Sequence, residues 1–561
     1  MNQKWWENSV AYQIYPKSFY DSNKDGIGDI KGIILKLDYL KDLGIDVIWL
    51  SPVYESPMAD NGYDISDYYS IAEQFGTMEN MDALIEEAEK RGIKIVMDLV
   101  INHTSDEHKW FIESKSSKNN ALRDYYIWKA PKEDGSEPNN WESIFGGSAW
   151  EYDEATAQYY LHTFAKKQPD LNWENPELRE KLYEMINYWL DKGIGGFRVD
   201  AITFIKKGKD FKDLKTKGEE KLVHISEACE NQQGIDEFLK ELKEKTFSKY
   251  DIFTVAEAPG VSKEDLYKYA GKNGFFDMLI EFGHTDLDIS AGGRWHKKNF
   301  WTLLDFKRAL SESQQVYNKI GFGALYIENH DQPRSLNKYI KEEDISSTSA
   351  KMLAAVYFFL KGIPFIYQGQ EIGMTNVKYK AIADYDDIAS IGQYKNAIEE
   401  GLTEEAALEA VHRRSRDNAR TPMQWEDSIN AGFTTGTPWL KVNTNYREIN
   451  VKAQIKDETS ILNFYKEIIK IRKENEVAIY GIYSLILEDS AEIYAYTRTL
   501  GSKQLLVICN FTGTSPEFKL PKDIKYSSKK YIIGNYEALE SENLEAFKLR
   551  PYEARVYMLE A

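Results

Sequence analysis

Apolar, β-rich runs alternate with amphipathic stretches along most of this chain. The runs at 10–15, 45–53, 93–100, 196–201, 252–258, 275–282, 324–329 and 364–368 read as strands. Between them, apolar residues recur at helical spacing over 30–43, 81–91, 176–192, 234–247, 304–320 and 349–360. Eight strands with intervening helices predict an α/β protein built on a closed parallel (β/α)8 TIM barrel rather than an open sheet.

Two interruptions and one change of pattern divide the chain. After the third strand, residues 104–172 are aromatic and loop-like, with a hairpin predicted over 152–164. A connection of that size in a compact fold is usually functional, and it reads as an inserted domain. After the eighth strand, 373–432 carries an acidic, helix-prone stretch expected to close over the barrel mouth. A last helix at 460–474 gives way to short runs at 493–497, 504–510 and 553–558, the pattern of an antiparallel β domain. The expected division is a barrel over 1–103 and 173–478, an insert over 104–172 and a C-terminal β-sandwich over 479–561. The lysine-rich stretch 206–221 reads as a solvated loop.

Composition narrows the function class. With a formal charge of −19 and no basic tract interleaved with aromatics, nucleic acid is excluded as a partner. No run has the length to span a bilayer, and the N-terminus lacks a leader-like apolar stretch, so a cytoplasmic protein without a membrane partner is expected. Only two cysteines, Cys229 and Cys509, fit a reducing compartment and inert core positions. The 13 Trp and 37 Tyr would suit stacking on sugar rings, although large α/β cores also use aromatics as filler.

The chemistry gathers at strand ends. In GGFRVDAITF, 195–204, Arg198 and Asp200 lie two residues apart and share one face of a strand. The third strand ends in Asp98 and His103, the fifth in Glu257, and the seventh in His330 and Asp331. Carboxyl ends of barrel strands converge on one face, so these acids form a candidate site. A retaining glycosidase needs a nucleophilic carboxylate and an acid/base about 5 to 5.5 Å apart, and adjacent strands lie about 4.8 Å apart. Asp200 and Glu257 fit those two roles, and Asp331 fits the stabiliser of an oxocarbenium-like transition state. Arg198 is expected to keep Asp200 ionised, while Glu257 must hold a proton near neutral pH. Separately, DSNKDGIGD spaces oxygen donors at Asp21, Asn23, Asp25, the Ile27 carbonyl and Asp29. Gly32 stands where an EF-hand needs a bidentate Glu, so the loop is no EF-hand and reads as either another metal loop or an Asx-turn.

DLVINH, GFRVDAI, TVAEA and ENHD, with QPDLN at 168–172, resemble the signature blocks of the α-amylase superfamily of glycoside hydrolases, family 13. The likeness runs from YQIYPKSFYDSNKDGIGD through NGYDISDYYSI, QGQEIGMTN and RDNARTPMQW, and is strongest to the oligo-1,6-glucosidase and α-glucosidase group. It implies the same three catalytic roles. It adds a glucose-binding ring of Asp60, Tyr63, His103, Arg198, His330 and Arg416, with Asp98 mainly orienting Arg198. Asp60 and Arg416 would stop the pocket at the non-reducing end and impose exo-action. The resemblance also implies a structural Ca2+ or Mg2+ in the 21–29 loop.

The expected function is a retaining exo-α-glucosidase that releases glucose from short oligosaccharides or disaccharides. Members specific for α-1,6 bonds generally carry Val after the nucleophile, whereas this chain has Ala201, which points to acceptance of α-1,4 bonds. The alternatives are an oligo-1,6-glucosidase or dextran glucosidase, a sucrose isomerase, a trehalose-6-phosphate hydrolase and a non-catalytic barrel scaffold. Intact acids and the lack of an anchor speak against the scaffold.

Overall fold

The computed structural model describes residues 3–216, 218, 221–290, 293–537 and 543–560. Eight parallel strands form the central sheet: β1 (Ala11–Ile14), β2 (Val47–Leu50), β3 (Lys94–Leu99), β4 (Gly196–Val199), β5 (Phe253–Glu257), β6 (Met278–Ile280), β7 (Ala324–Leu325) and β8 (Ile363–Tyr367). Their order is β6-β5-β4-β3-β2-β1-β8-β7, so the two ends of the sheet are consecutive in the chain and the barrel nearly closes. Side chains bridge that seam. The Tyr326 hydroxyl donates to the Glu281 carbonyl at 2.9 Å, and the His284 ring meets the Tyr326 carbonyl at 2.6 Å. Strands β6 and β7 are shorter than their apolar runs suggested, because the chain bends into loops that carry site residues.

Period-two alternation sorts each strand into two faces. Ala11, Val47, Trp49, Val96, Phe253, Val255, Met278, Ile280, Ala324, Ile363 and Phe365 fill one apolar cluster inside the barrel. Their neighbours, such as Tyr12, Ile48, Ile95, Phe197 and Ile366, join the larger core packed under the helices. Those helices include α1 (Ile30–Leu43), α2 (Met78–Lys90), α3 (Pro176–Asp191), α4 (Ile235–Lys245), α5 (Leu303–Ile320) and α6 (Ser347–Phe358). Local chemistry sets their starts: Asp29 caps α1, a Thr77/Asn80 capping box opens α2 three residues before its predicted start, and Thr302/Asp305 does the same for α5.

One glycine fixes the register that matters most. Gly196 opens β4 at φ 142°, and a Cβ there would lie 1.8 Å from the Phe253 carbonyl oxygen of β5. The absent side chain lets β4 and β5 pair in the register Arg198↔Val255 and Val199↔Ala256, which brings the ends of both strands together.

The insert contains a three-stranded antiparallel sheet of Trp128–Lys129, Gln158–Leu161 and Trp150–Asp153, the last two forming the expected hairpin. It does not stand alone, because Trp141–Glu142 pairs in parallel with Val223–His224 from the loop after β4. The reading of 206–221 as solvated holds for the exposed Lys209, Lys212, Lys215 and Lys221 and is corrected only at its start, while 217, 219 and 220 lie outside the described residues. Lys206 and Lys207 are buried and paired with Glu174 and Asp170, each at 2.7 Å, and Phe211 stacks on Trp141. Desolvation of the lysine stems against the insert outweighs solvation of a like-charged run, because each of these two ammonium groups meets a carboxylate.

After β8, α7 (Ile388–Glu399) and α8 (Glu404–Arg414) form a helical hairpin, and α9 (Ile461–Lys473) returns to the barrel. The C-terminal sheet is antiparallel: β9 (Ile482–Ile486), β10 (Ile493–Leu500), β11 (Lys503–Asn510), β12 (Ser528–Gly534) and β13 (Ala554–Glu560), in the order β9-β10-β11-β13-β12. Buried Arg498 joins it to the barrel by donating to the carbonyls of Phe359, Ile479 and Gly481. Cys229 and Cys509 are free and buried. Burial pushes the Cys229 thiol up to about 12 and Cys509 higher, so both remain protonated core residues. Among the described residues no helix is long and apolar enough to cross a membrane.

Candidate active site

Register puts Arg198 beside Asp98 across β3 and β4, and the guanidinium then spans the mouth of the barrel. One Arg198 nitrogen donates to Asp98 at 2.8 Å and to Asp200 at 2.6 Å; the other donates to Glu257 at 2.6 Å. The Trp49 ring lies 5.0 Å from the same cation. Arg198 and Asp98 are fully buried, so a single guanidinium gathers three carboxylates in a region of low dielectric. Glu257 also accepts from the Ala201 backbone N–H at 3.2 Å. Ala201 itself is left-handed, at φ 41° and ψ 37°.

The expected contact between Arg198 and Asp200 is present and lowers the carboxyl as expected, but burial acts against it. Burial pushes the Asp200 carboxyl well above the usual range; Arg198 opposes that shift, while Glu257 and Asp98 reinforce it. The contact with Arg198 has the expected sign, but one cation shared by three acids does not offset the loss of solvent.

Asp331 stands in the opposite environment. It meets the His330 ring at 2.9 Å, Arg420 at 3.0 Å and Arg416 at 3.4 Å. Burial alone would raise its carboxyl, but those three neighbours outweigh burial and hold it well below the usual range. The Gln13 side-chain nitrogen lies 2.7 Å from His330 Nδ1, which leaves Nε2 to face Asp331. Tyr63 stacks on His330 with ring centroids 5.4 Å apart, and its hydroxyl donates to Asp98 at 2.9 Å. His103, whose buried ring is shifted towards the neutral form, contacts the Tyr63 carbonyl and Gln168, each at 3.1 Å.

Asp60 and Arg416 pair at 3.1 Å, closing one side of this group. Asp64 fixes Asp60 by accepting from its backbone N–H at 2.9 Å. Arg416 is aimed by Asp387, which accepts from its Nε at 2.7 Å, and the guanidinium lies 5.2 Å from the Phe145 ring. The structure thus brings together all ten residues singled out as catalytic or sugar-binding. It adds Gln168, Asp387, Arg420 and Phe145, of which Gln168 and Arg420 sit within the QPDLN and RDNARTPMQW blocks. Asp387 carries the weaker signal of an N-cap preceding α7.

The 21–29 loop lies apart from these acids and offers only oxygen donors. Asp21 accepts from the backbone N–H groups of Asn23, Lys24 and Gly26 and from the Thr434 hydroxyl. Asp29 accepts from Ser22 and from Gly32 as the cap of α1, while Asn23 and Asp25 bond to each other. Among the described residues no three acidic, His or Cys side chains gather as a metal group, so a cation here would draw also on the Asn23 amide and the Ile27 carbonyl.

Known proteins share this architecture over its whole length. The family described as "Alpha amylase, catalytic domain" matches residues 13–481, and "Alpha-amylase SusG C-terminal domain" matches 493–556. An oligo-1,6-glucosidase of Parageobacillus thermoglucosidasius is 53% identical over 561 residues, 100% of both chains. The solved trehalose-6-phosphate hydrolase of Bacillus licheniformis superposes with a TM-score of 0.93 at 46% identity, covering 100% of both chains. A solved trehalulose synthase variant gives a TM-score of 0.95 at 42% identity, covering 99% of this chain and 100% of the other.

The electrostatics give a pH prediction. A carboxylate that must be ionised to act, but whose proton affinity is raised, makes kcat/KM climb with pH through that raised value. Asp98 is one source of the rise, so Asp98→Asn should move the acid limb of the kcat/KM profile to lower pH. Loss of the Arg198 anchor should also lower the plateau, by about 10²-fold. An acid limb that stays in place, or moves up, contradicts this account.

Proposed function

The chain belongs to the α-amylase family of glycoside hydrolases, and within it we propose a retaining, exo-acting α-glucosidase for short α-glucosides. The observation that carries this reading is the Arg198 guanidinium joining Asp200 and Glu257 opposite an ionised Asp331. Asp200 attacks the anomeric carbon while Glu257 gives its proton to the departing oxygen; Glu257 then takes a proton from water, whose oxygen displaces Asp200. Asp331 stabilises the positive charge that develops in both steps. The Asp60–Arg416 pair supports exo-action, because a closed end admits one glucose unit.

The relative named oligo-1,6-glucosidase supports cleavage of α-1,6 bonds. Ala201 supports acceptance of α-1,4 bonds as well. A β-branched side chain at this buried position, one residue beyond the nucleophile, would crowd a sugar joined through a ring hydroxyl more than one joined through a flexible CH2. The proposed substrates are therefore both disaccharide types, with trehalose 6-phosphate and sucrose as the competing substrates to assay in parallel.

For the 21–29 loop we propose a hard divalent cation, Ca2+ or Mg2+, held by Asp21, Asn23, Asp25, the Ile27 carbonyl and Asp29. Oxygen-only donors support that class of ion. Its contribution would be to stability, since the loop packs on Thr434 and caps α1, away from the catalytic acids.

Three measurements test these readings. Asp200→Asn should lower turnover by several orders of magnitude, and the wild type should release glucose with the anomeric configuration of its substrate. An inverted product rules out the two-step route. Ala201→Val should shift the ratio of kcat/KM for isomaltose to that for maltose upward by about 10- to 200-fold. Melting must be followed in the same variant, because a β-branched residue in the left-handed region is strained. A wild type that neglects maltose, with no shift in the variant, discards the role given to Ala201. Chelation should lower Tm by about 3–6 °C, and elemental analysis should find one divalent ion per chain. Unchanged melting with no bound metal removes the cation.

A further inference from the structure

A second charged cluster forms where the loop after β6, the insert and α7 meet. Arg294, on the loop after β6, donates from one terminal nitrogen to Glu142 of the insert and from Nε to Glu400 at the end of α7, each at 3.1 Å. Glu400 also meets the His296 ring at 3.1 Å and Lys297 at 2.6 Å. Burial would raise the Glu400 carboxyl, but Lys297 and His296 hold it down at about 2. Further hydrogen bonds run alongside: Gln393 of α7 accepts from the Trp295 N–H at 3.0 Å and donates to the Gly293 carbonyl at 3.1 Å, and Arg413 of α8 donates to the Trp295 carbonyl. Residues 293–297 are thereby fixed to both helices of the hairpin and to the insert.

The two segments it joins also meet beside the pocket. Phe145, three residues beyond Glu142, packs against Arg416, and α7 approaches it so closely that a Cβ on Gly392 would lie 2.9 Å from the Phe145 carbonyl oxygen. In that pocket Asp60, Tyr63, Asp200 and Arg416 expose between 5% and 9% of their surface, so little of it is open to solvent. The bridge also lies on a definite side. Strand β6 pairs with β5, whose last residue is Glu257, so the loop after β6 borders the side where an acid/base meets the leaving group.

We propose that Arg294 is a specificity-determining residue. By holding the insert to the α7–α8 hairpin on the leaving-group side, it restricts the enzyme to short glucosides. The proposal rests on the α-glucosidase reading above and adds the length of substrate that reading leaves open. The physical basis is that a disaccharide needs only the space inside the pocket, whereas a longer glucoside must extend out of it past the contact between the insert and α7 that Arg294 holds. The side chains of Arg294, Glu142 and Glu400 are 26%, 14% and 33% exposed, so salt can reach and weaken the bridge.

The test compares kcat/KM for a linear α-glucoside of six glucose units with that for the matching disaccharide, at low and high NaCl. Arg294→Gln should raise the six-to-two ratio by about three- to tenfold, a range set by two partly exposed ion pairs. In the wild type, high NaCl should raise the same ratio; in Arg294→Gln it should not. If Arg294→Gln does not fold, Glu142→Gln carries the test, since it removes only the insert half of the bridge. A ratio unchanged by folded variants and by salt overturns the role of Arg294 while leaving the glucosidase reading intact. A wild type that hydrolyses neither substrate overturns the glucosidase reading, and the inference falls with it.

Discussion

The site depends on a shortage of positive charge around Arg198. One buried guanidinium serves Asp98, Asp200 and Glu257, so the group carries more negative than positive charge in a place where solvent cannot screen it. Burying unbalanced charge is expensive, and the least costly response is to retain a proton. That is why Asp200 is shifted upward although it touches a cation. Removing Arg198 would leave three carboxylates with no counter-charge, so the residue fixes both the shape of this half of the site and its proton content.

Across the pocket the balance is reversed. Asp331 has Arg416, Arg420 and His330 around it and is held ionised. One carboxylate raised by burial and another held ionised by its neighbours give the two halves of the site opposite electrostatic character. The barrel produces this contrast with its own strands and loops. Asp200 and Glu257 come from adjacent strands whose register Gly196 permits, whereas the cations facing Asp331 come from the segment after the α7–α8 hairpin.

That segment links the catalytic layer to α7. Arg416 touches Asp60, Asp331 and Asp387, and Asp387 in turn caps α7. The helix that closes over the mouth is therefore anchored in the same side chain that closes the end of the pocket. The Arg294 bridge ties its far end to the insert, so both ends of α7 are held by arginine–carboxylate pairs.

Much of this was legible in the chain itself. Continuous apolar runs identified the strands, because the inward face of Trp49, Val96 and Phe253 and the outward face of Ile48, Ile95 and Phe197 are both buried and both apolar. The strand-end acids were legible for a related reason, since a carboxylate at the end of a buried strand has few structural uses. Tertiary structure decided what spacing cannot encode. Asp387, Phe145 and Arg294 act through partners from 29 to 271 residues away, so no local pattern places them at the site. Lys206 and Lys207 read as solvated until Asp170 and Glu174 were folded against them. The proton affinity of Asp200 is the clearest case: its sequence neighbour Arg198 lowers it, but burial and Glu257 raise it, and only the pairing of β4 with β5 brings Glu257 there.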